Sequence, residues 1–306
     1  MTMFPPGNMR IGWGYALVTN RARWFIGLFL PVVFCMLAGM QSVATADRTL
    51  RIGLTPVMLE DQVRFLDRWR GYLEKRLGRE VEFVRRNSYG EIIELALRGR
   101  VDFAWLCGFP YVQHRDALNL VVAPLYDGEP LYQSYLIVPV SDDTTRHLLD
   151  LRGAIFAYAD PNSNSGWLYP EHVLRQAGSS GERHFQRTFY TWGHQRVIEA
   201  VAAGLAEGGA VDGYVWETLS RIEPNLTART RVVSRSDHFG FPPIVATSAA
   251  DEATSEAFRE VLLGMVEDPM GRELLDELNL DGFAHVESSL YESIGVLSRE
   301  VAEGRY

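Results

Sequence analysis

The chain has 306 residues and two cysteines, Cys35 and Cys107. If the first 46 residues are removed on export, as argued below, Cys107 is the only thiol left, so no internal disulfide can form and packing alone must hold the core. Lysine is nearly absent: Lys75 stands against 29 arginines, which reads as codon bias and not as chemistry. Excess positive charge is missing too. Without the three arginines of the first 46 residues, 27 basic residues face 39 acidic ones, a net charge near −12. This excludes nucleic acid and anionic membrane as partners, and any anion must be held by local donors. The histidines show no metal-ligand spacing, so no metal and no cofactor is expected.

The amino terminus carries Arg10, Arg21 and Arg23 and no acid. An uncharged run from Trp24 to Met40 then leads to Ala44-Thr45-Ala46 before Asp47. Basic flank, apolar core and small-residue site are the order of a secretory signal, with cleavage predicted after Ala46. The alternative is a retained membrane anchor, since the run borders on the length of a span. Residues 47–306 are then an exported protein of 260 residues.

Alternating Leu50-Arg51-Ile52-Gly53-Leu54 reads as a strand, and Val63, Leu66, Trp69, Leu73 and Leu77 follow at helical spacing up to Gly78. Val81 to Val84 reads as a strand, Tyr89 to Leu97 as a helix, and Val101 to Leu106 as a strand. A second series runs through the strand Ala154–Ala159, the helix Gln195–Leu205 and the strand Val211–Val215. Extended runs at Tyr135–Val138 and Pro242–Ala246 join the two series, and three helical segments close the chain. Strands alternating with helices predict an α/β protein of two lobes, each a mostly parallel sheet flanked by helices, joined by two crossings. The expected boundaries are 1–46 for the signal, 47–138 with 243–306 for the first lobe, and 139–242 for the second.

Chemistry concentrates at Asp160-Pro161-Asn162-Ser163-Asn164-Ser165-Gly166, a polar turn running into a helix from Leu168 to Gln176. Such a turn presents backbone N–H groups at the positive end of a helix dipole, with two hydroxyls beside them, which is a seat for an anion. Taken alone it reads first as a helix cap. Cys107 follows the third strand, where open α/β sheets bind ligands, and it also reads as a small buried filler. Glu217, in Tyr214-Val215-Trp216-Glu217, is placed after a strand, either facing the cleft or exposed at a helix start. Tyr111, Tyr126, Tyr132 and Tyr135 read as core or as ligand wall.

These segments together resemble one family, the periplasmic substrate-binding proteins of phosphonate, phosphite and phosphate ABC transporters. The matching words are Leu50-Arg51-Ile52-Gly53, Ser88-Tyr89-Gly90, Val101 to Leu106 before Tyr111-Val112, Tyr135 to Val138, Asp150-Leu151-Arg152-Gly153, Asp160 to Gly166, Gly193-His194 and Val211-Asp212. The resemblance implies a type II periplasmic binding fold that closes on its ligand by a hinge. It also implies a small oxyanion as ligand and a non-catalytic monomer that serves a permease. By the same resemblance, Ser163, Asn164 and Ser165 hold the oxyanion with Tyr89 and His194, and Asn164 departs from the family's usual threonine. The family includes arsenite-binding proteins that work with a sensor kinase through a cysteine, so Cys107 keeps that alternative open. A third alternative is a thiol hydrolase using Cys107 and His194.

Overall fold

Alternation decides the first element: in β1 (Leu50–Leu54) Leu50 and Ile52 are buried and Arg51 is exposed. The computed structural model describes residues 48–56 and 63–303, and the expected signal segment lies outside them. On the next helix, α1 (Val63–Leu77), Phe65, Trp69, Tyr72 and Leu73 share a buried face, and Trp69 packs edge-on against Trp105 at 6.1 Å between ring centroids. Strand β2 (Val81–Arg85) leads to α2 (Tyr89–Leu97), and β3 (Phe103–Trp105) to α3 (Gly108–His114). Both strands run parallel to β1, with Ile52 opposite Phe83 on one side and Phe103 on the other. Strand β4 (Asn119–Leu125) completes this first series.

The chain then passes through β5 (Leu131–Tyr132) into β6 (Ser134–Pro139), β7 (Ile155–Tyr158), α4 (Tyr169–Gln176), α5 (Gly181–His184), β8 (Arg187–Tyr190) and α6 (His194–Ala202). Next come β9 (Gly208–Asp212), α7 (Gly213–Ile222), α8 (Pro224–Thr227), β10 (Thr230–Arg235) and β11 (Phe239–Gly240). The return brings β12 (Ile244–Ala246), α9 (Glu252–Leu263), α10 (Pro269–Leu278), β13 (Gly282–Ala284) and α11 (Glu292–Glu303).

Among the described residues two large sheets form. The first has the order β13-β4-β12-β3-β1-β2 and the second β10-β6-β9-β7-β8. In each, strands of one direction dominate, and the returning strands β12, β13 and β6 insert antiparallel. A two-stranded ladder of β5 and β11, with Tyr132 opposite Phe239, marks where the chain crosses between the sheets and comes back. Phe103 against Phe258 anchors the first core at 4.2 Å, and Phe156 stacked on Phe185 at 4.4 Å anchors the second. Helix α11 packs on both α3 and α4, one from each series.

Two boundaries differ from the sequence expectation. Strand β6 was assigned to the first lobe by the limit at 138, yet it pairs with β9 and β10 in the second sheet. The run Val211–Val215 is not one strand: β9 ends at Asp212, whose side chain accepts the N–H groups of Tyr214 and Val215 and starts α7 there. A capping carboxylate turns an apolar, β-prone sequence into a helix start.

Candidate functional site

The apolar strand β7 ends at Tyr158, and two residues on stands Asp160, whose Oδ1 accepts the backbone and side-chain N–H of Asn162 at 2.8 and 3.1 Å. This closes a local turn of the kind aspartate favours. Ser163 then accepts the Gly166 N–H through Oγ at 2.9 Å, and a single π-turn, Asn164–Leu168, leads into α4. Single π-turns of this kind occur frequently at functional sites. Gly166 is required there: a Cβ would lie 2.5 Å from Ala159 Cβ and 3.1 Å from the His194 ring. Ser163, Asn164 and Ser165 are all fully buried.

The first sheet supplies the opposite wall. Ser88 caps α2 and so fixes Tyr89 as its first residue, and the Tyr89 N–H donates to Asp160 Oδ2 at 3.1 Å. Cys107 occupies the cap position of α3, where its Sγ accepts the Asn164 N–H at 3.2 Å. Phe109, two residues on, stacks on Trp167 at 6.0 Å. The carboxyl ends of β2 and β3 therefore meet the turn that follows β7.

His194 opens α6 beside them, edge-on to Tyr89 at 6.5 Å. Its Nδ1 accepts the Asp212 N–H at 3.0 Å, so the ring hydrogen sits on Nε2, 3.4 Å from Ser163 Oγ. Burial pushes the imidazole down to about 3, and it is neutral. Burial pushes the Asp212 carboxyl up to about 7 against the pull of the Val215 and Tyr214 N–H groups. It also pushes the Cys107 thiol up to about 11, opposed by the Asn164 N–H. The thiol is protonated and both nitrogens of His194 are engaged elsewhere, so no activated thiol–imidazole pair exists.

What remains is a set of unused polar groups. Tyr89 Oη, Asn164 Oδ1 and Ser165 Oγ are buried without a hydrogen-bond partner. Each such atom costs about 1–3 kcal/mol, so three in neighbouring side chains describe a place prepared for something to bond. Ser163 Oγ already accepts two N–H groups, which leaves its own hydrogen to donate. Tyr132 accepts the Asn164 amide at 2.9 Å, and its hydroxyl lies within hydrogen-bonding reach of the Ser165 and Cys107 side chains. Neutral hydroxyl donors on buried side chains can hold a small oxyanion.

Six of the seven sequence-predicted residues, Tyr89, Cys107, Ser163, Asn164, Ser165 and His194, are brought together. Glu217 is not joined to them. It lies in the second turn of α7, half-buried, and accepts the Tyr135 hydroxyl at 3.1 Å, with the Arg235 guanidinium 4.7 Å over the Tyr135 ring. Sequence reasoning left out Asp160, Asp212 and Tyr132 as site residues. The two acids carried a signal, each being the first polar residue after an apolar run and standing just before a turn or helix start; Tyr132 stood only among four tyrosines that read as core or as ligand wall.

A sequence model of one family, described as the periplasmic substrate-binding protein of a phosphonate ABC transporter, matches residues 52–291. The chain is 24% identical over 273 residues to the probable ABC transporter phosphite binding protein PhnD1 of Prochlorococcus marinus, covering 85% of this chain and 92% of that one. It is 31% identical over 159 residues to the phosphate-import protein PhnD of Mycolicibacterium smegmatis, covering 48% of this chain and 50% of that one. The solved structure of Prochlorococcus marinus PhnD1 in complex with methylphosphonate superposes with a TM-score of 0.75 at 22% identity, over 83% of this chain and 98% of that one. The two-sheet architecture is thus that of a two-lobed periplasmic binding protein.

Proposed function

Because the chain belongs to the family of periplasmic substrate-binding proteins of phosphonate ABC transporters, we propose that its site captures a small phosphorus oxyanion, a phosphonate or phosphite, and delivers it to a membrane permease. The observation that carries this reading is the pair of buried hydroxyls without a partner, Tyr89 Oη and Ser165 Oγ, beside the Ser163–Gly166 turn; Asn164 Oδ1, also without a partner, accepts only and so suits a hydroxyl on the ligand. The names of the relatives, for phosphite and for phosphate import, and the methylphosphonate in a solved neighbour support the ligand class. Donors from both sheets surround the spot, so closure excludes water and each hydrogen bond strengthens as the local dielectric falls. The protein acts by binding and release, with no covalent step. It works in the periplasm as a monomer, after removal of residues 1–46.

Calorimetry with methylphosphonate, phosphite and phosphate tests the reading, with saturable binding of at least one expected. No heat from any of the three with a folded protein overturns it. Cys107→Ser is the control for a thiol-seeking ligand. Oxyanion binding survives that substitution, whereas binding of arsenite that vanishes with the thiol would instead place the chain with arsenic-sensing proteins that signal to a kinase.

A further inference from the structure

Two carboxyl groups lie within this site, and they are used differently. Asp160 engages both oxygens, Oδ1 with Asn162 and Oδ2 with Tyr89. Asp212 caps α7 through Oδ1 alone, which accepts from Tyr214 and Val215 at 2.9 and 3.4 Å, and among the described residues no hydrogen bond reaches its Oδ2.

Strand register says where that side chain points. Asp212 is the direct antiparallel partner of Ser134 in the β6–β9 ladder, and residues directly opposite project from the same face. The Ser134 hydroxyl donates to the Ser165 carbonyl at 2.7 Å, so this face is the one that meets the turn. Asp212 is 1% exposed, and its own N–H is the donor that sets the His194 tautomer.

The surroundings are neutral. Tyr89, Cys107, Tyr126, Tyr132 and Tyr214 all feel the Asp212 charge, and burial raises each of them so that each keeps its proton. His194 is uncharged, and no arginine or lysine contributes to the shift of Asp212. A doubly charged anion entering here would meet a carboxylate with no cation to offset it, at a cost that low dielectric magnifies. A hydroxyl on the ligand removes the conflict, because it donates where the carboxylate accepts.

Resting on the phosphorus-oxyanion reading above, we propose that Asp212 is a ligand-binding residue whose Oδ2 and one ligand oxygen hold a single proton between them. The site then takes the oxyanion with one O–H and not as the fully ionised species. A singly protonated phosphonate or phosphite brings the proton with it. A dianion takes one up from solvent on binding, and no other bond is made or broken.

The test is the affinity of the intact protein for methylphosphonate between pH 8 and 10, with proton uptake counted by calorimetry in two buffers of different ionisation heat. Wild type is expected to lose about tenfold in affinity per pH unit, with one proton taken up per ligand. In Asp212→Asn, which keeps a good helix cap, the loss shrinks to less than about twofold per unit and the uptake disappears. Affinity independent of pH with no proton uptake in wild type overturns the proposal and leaves the oxyanion reading standing. An Asp212→Asn protein with the wild-type pH slope also overturns it. Failure of methylphosphonate, phosphite and phosphate alike to bind overturns both. The wild-type proton count decides the matter even if the variant does not fold.

Discussion

The first N–H of helix α2, on Tyr89, donates to the carboxylate of Asp160 at 3.1 Å, so a helix of the first sheet is capped by a side chain that follows a strand of the second. Asp160 also holds Asn162 of the turn, and one carboxylate therefore couples the shape of the anion seat to the closure of the two sheets. Charge-assisted hydrogen bonds of this kind contribute about 1.5–3 kcal/mol. Asp160→Ala should weaken oxyanion binding by roughly 10- to 100-fold and enlarge the radius of gyration of the unliganded protein in small-angle scattering. Unchanged affinity and an unchanged radius would show that Asp160 acts only within its own turn.

Tyr89 offers a cleaner separation of binding from folding. Its hydroxyl is fully buried and bonded to nothing, so it already burdens the fold. Tyr89→Phe should leave thermal stability unchanged or slightly raised, because an unsatisfied polar atom is removed. The same variant should bind the oxyanion about tenfold more weakly, since a donor to a charged ligand is lost. A loss of stability without a loss of affinity would mean that the hydroxyl has a structural partner and no ligand.

Much of this was legible in the sequence, and the parts that were not share a cause. Helix α2 with its Ser88 cap, the spacing of Trp69 and Leu73, and the Ser163–Ser165 turn are local patterns, and local patterns are what a sequence displays. The sheet to which β6 belongs depends on pairing with Gly209–Asp212, some seventy residues away, which no local period reports. Val211–Val215 reads as strand by propensity, and the Asp212 cap overrides its last part; with the strand shortened, Glu217 moves into the middle of a helix and bonds Tyr135. Asp212 and Tyr132 enter the site only through the β6–β9 ladder and the β5–β11 crossing, so their roles follow from topology and not from the words they sit in.

Opposed buried groups shape the pH dependence of stability. His194 titrates near 3 when folded against about 6.5 unfolded, so between those values the unfolded chain binds more protons and stability falls as pH falls. Asp212 titrates near 7 when folded against about 3.9 unfolded, so between those values the folded chain binds more protons and stability rises as pH falls. From about pH 6.5 to 4 the two slopes, each roughly 1.4 kcal/mol per pH unit, oppose each other. Wild type should therefore lose across that window only the part of its urea midpoint that His172 and His184 take away, and lose it steeply below about 4. Asp212→Asn should lose stability from about pH 6.5 downward. His172 and His184, both lowered by burial, add to the acid loss in either protein. A variant with the wild-type slope across that window would show that Asp212 ionises normally in the fold.

Gly166 is where folding and binding make the same demand. Its backbone N–H bonds Ser163 Oγ, its carbonyl accepts the Ala159 N–H at 3.2 Å, and its missing side chain leaves room for Ala159 and for the His194 ring. In Gly166→Ala the new methyl would stand 2.5 Å from Ala159 Cβ and 3.0 Å from Ser163 Oγ, and neither neighbour is the end of a long flexible chain. The turn must shift to admit it. Overpacking of this kind costs about 1–3 kcal/mol in stability, which a urea midpoint would register. Because the displaced atoms are Ser163 Oγ and the His194 ring, the shift also disorders the donors, and affinity should fall by at least about tenfold at temperatures where the variant is still folded. Ser163→Ala supplies the comparison: it removes one hydroxyl without the clash, so it should reduce affinity while costing only about 1 kcal/mol of stability from the lost turn bond. A Gly166→Ala protein with wild-type affinity would mean that the turn tolerates displacement and that the ligand is held chiefly by the first sheet.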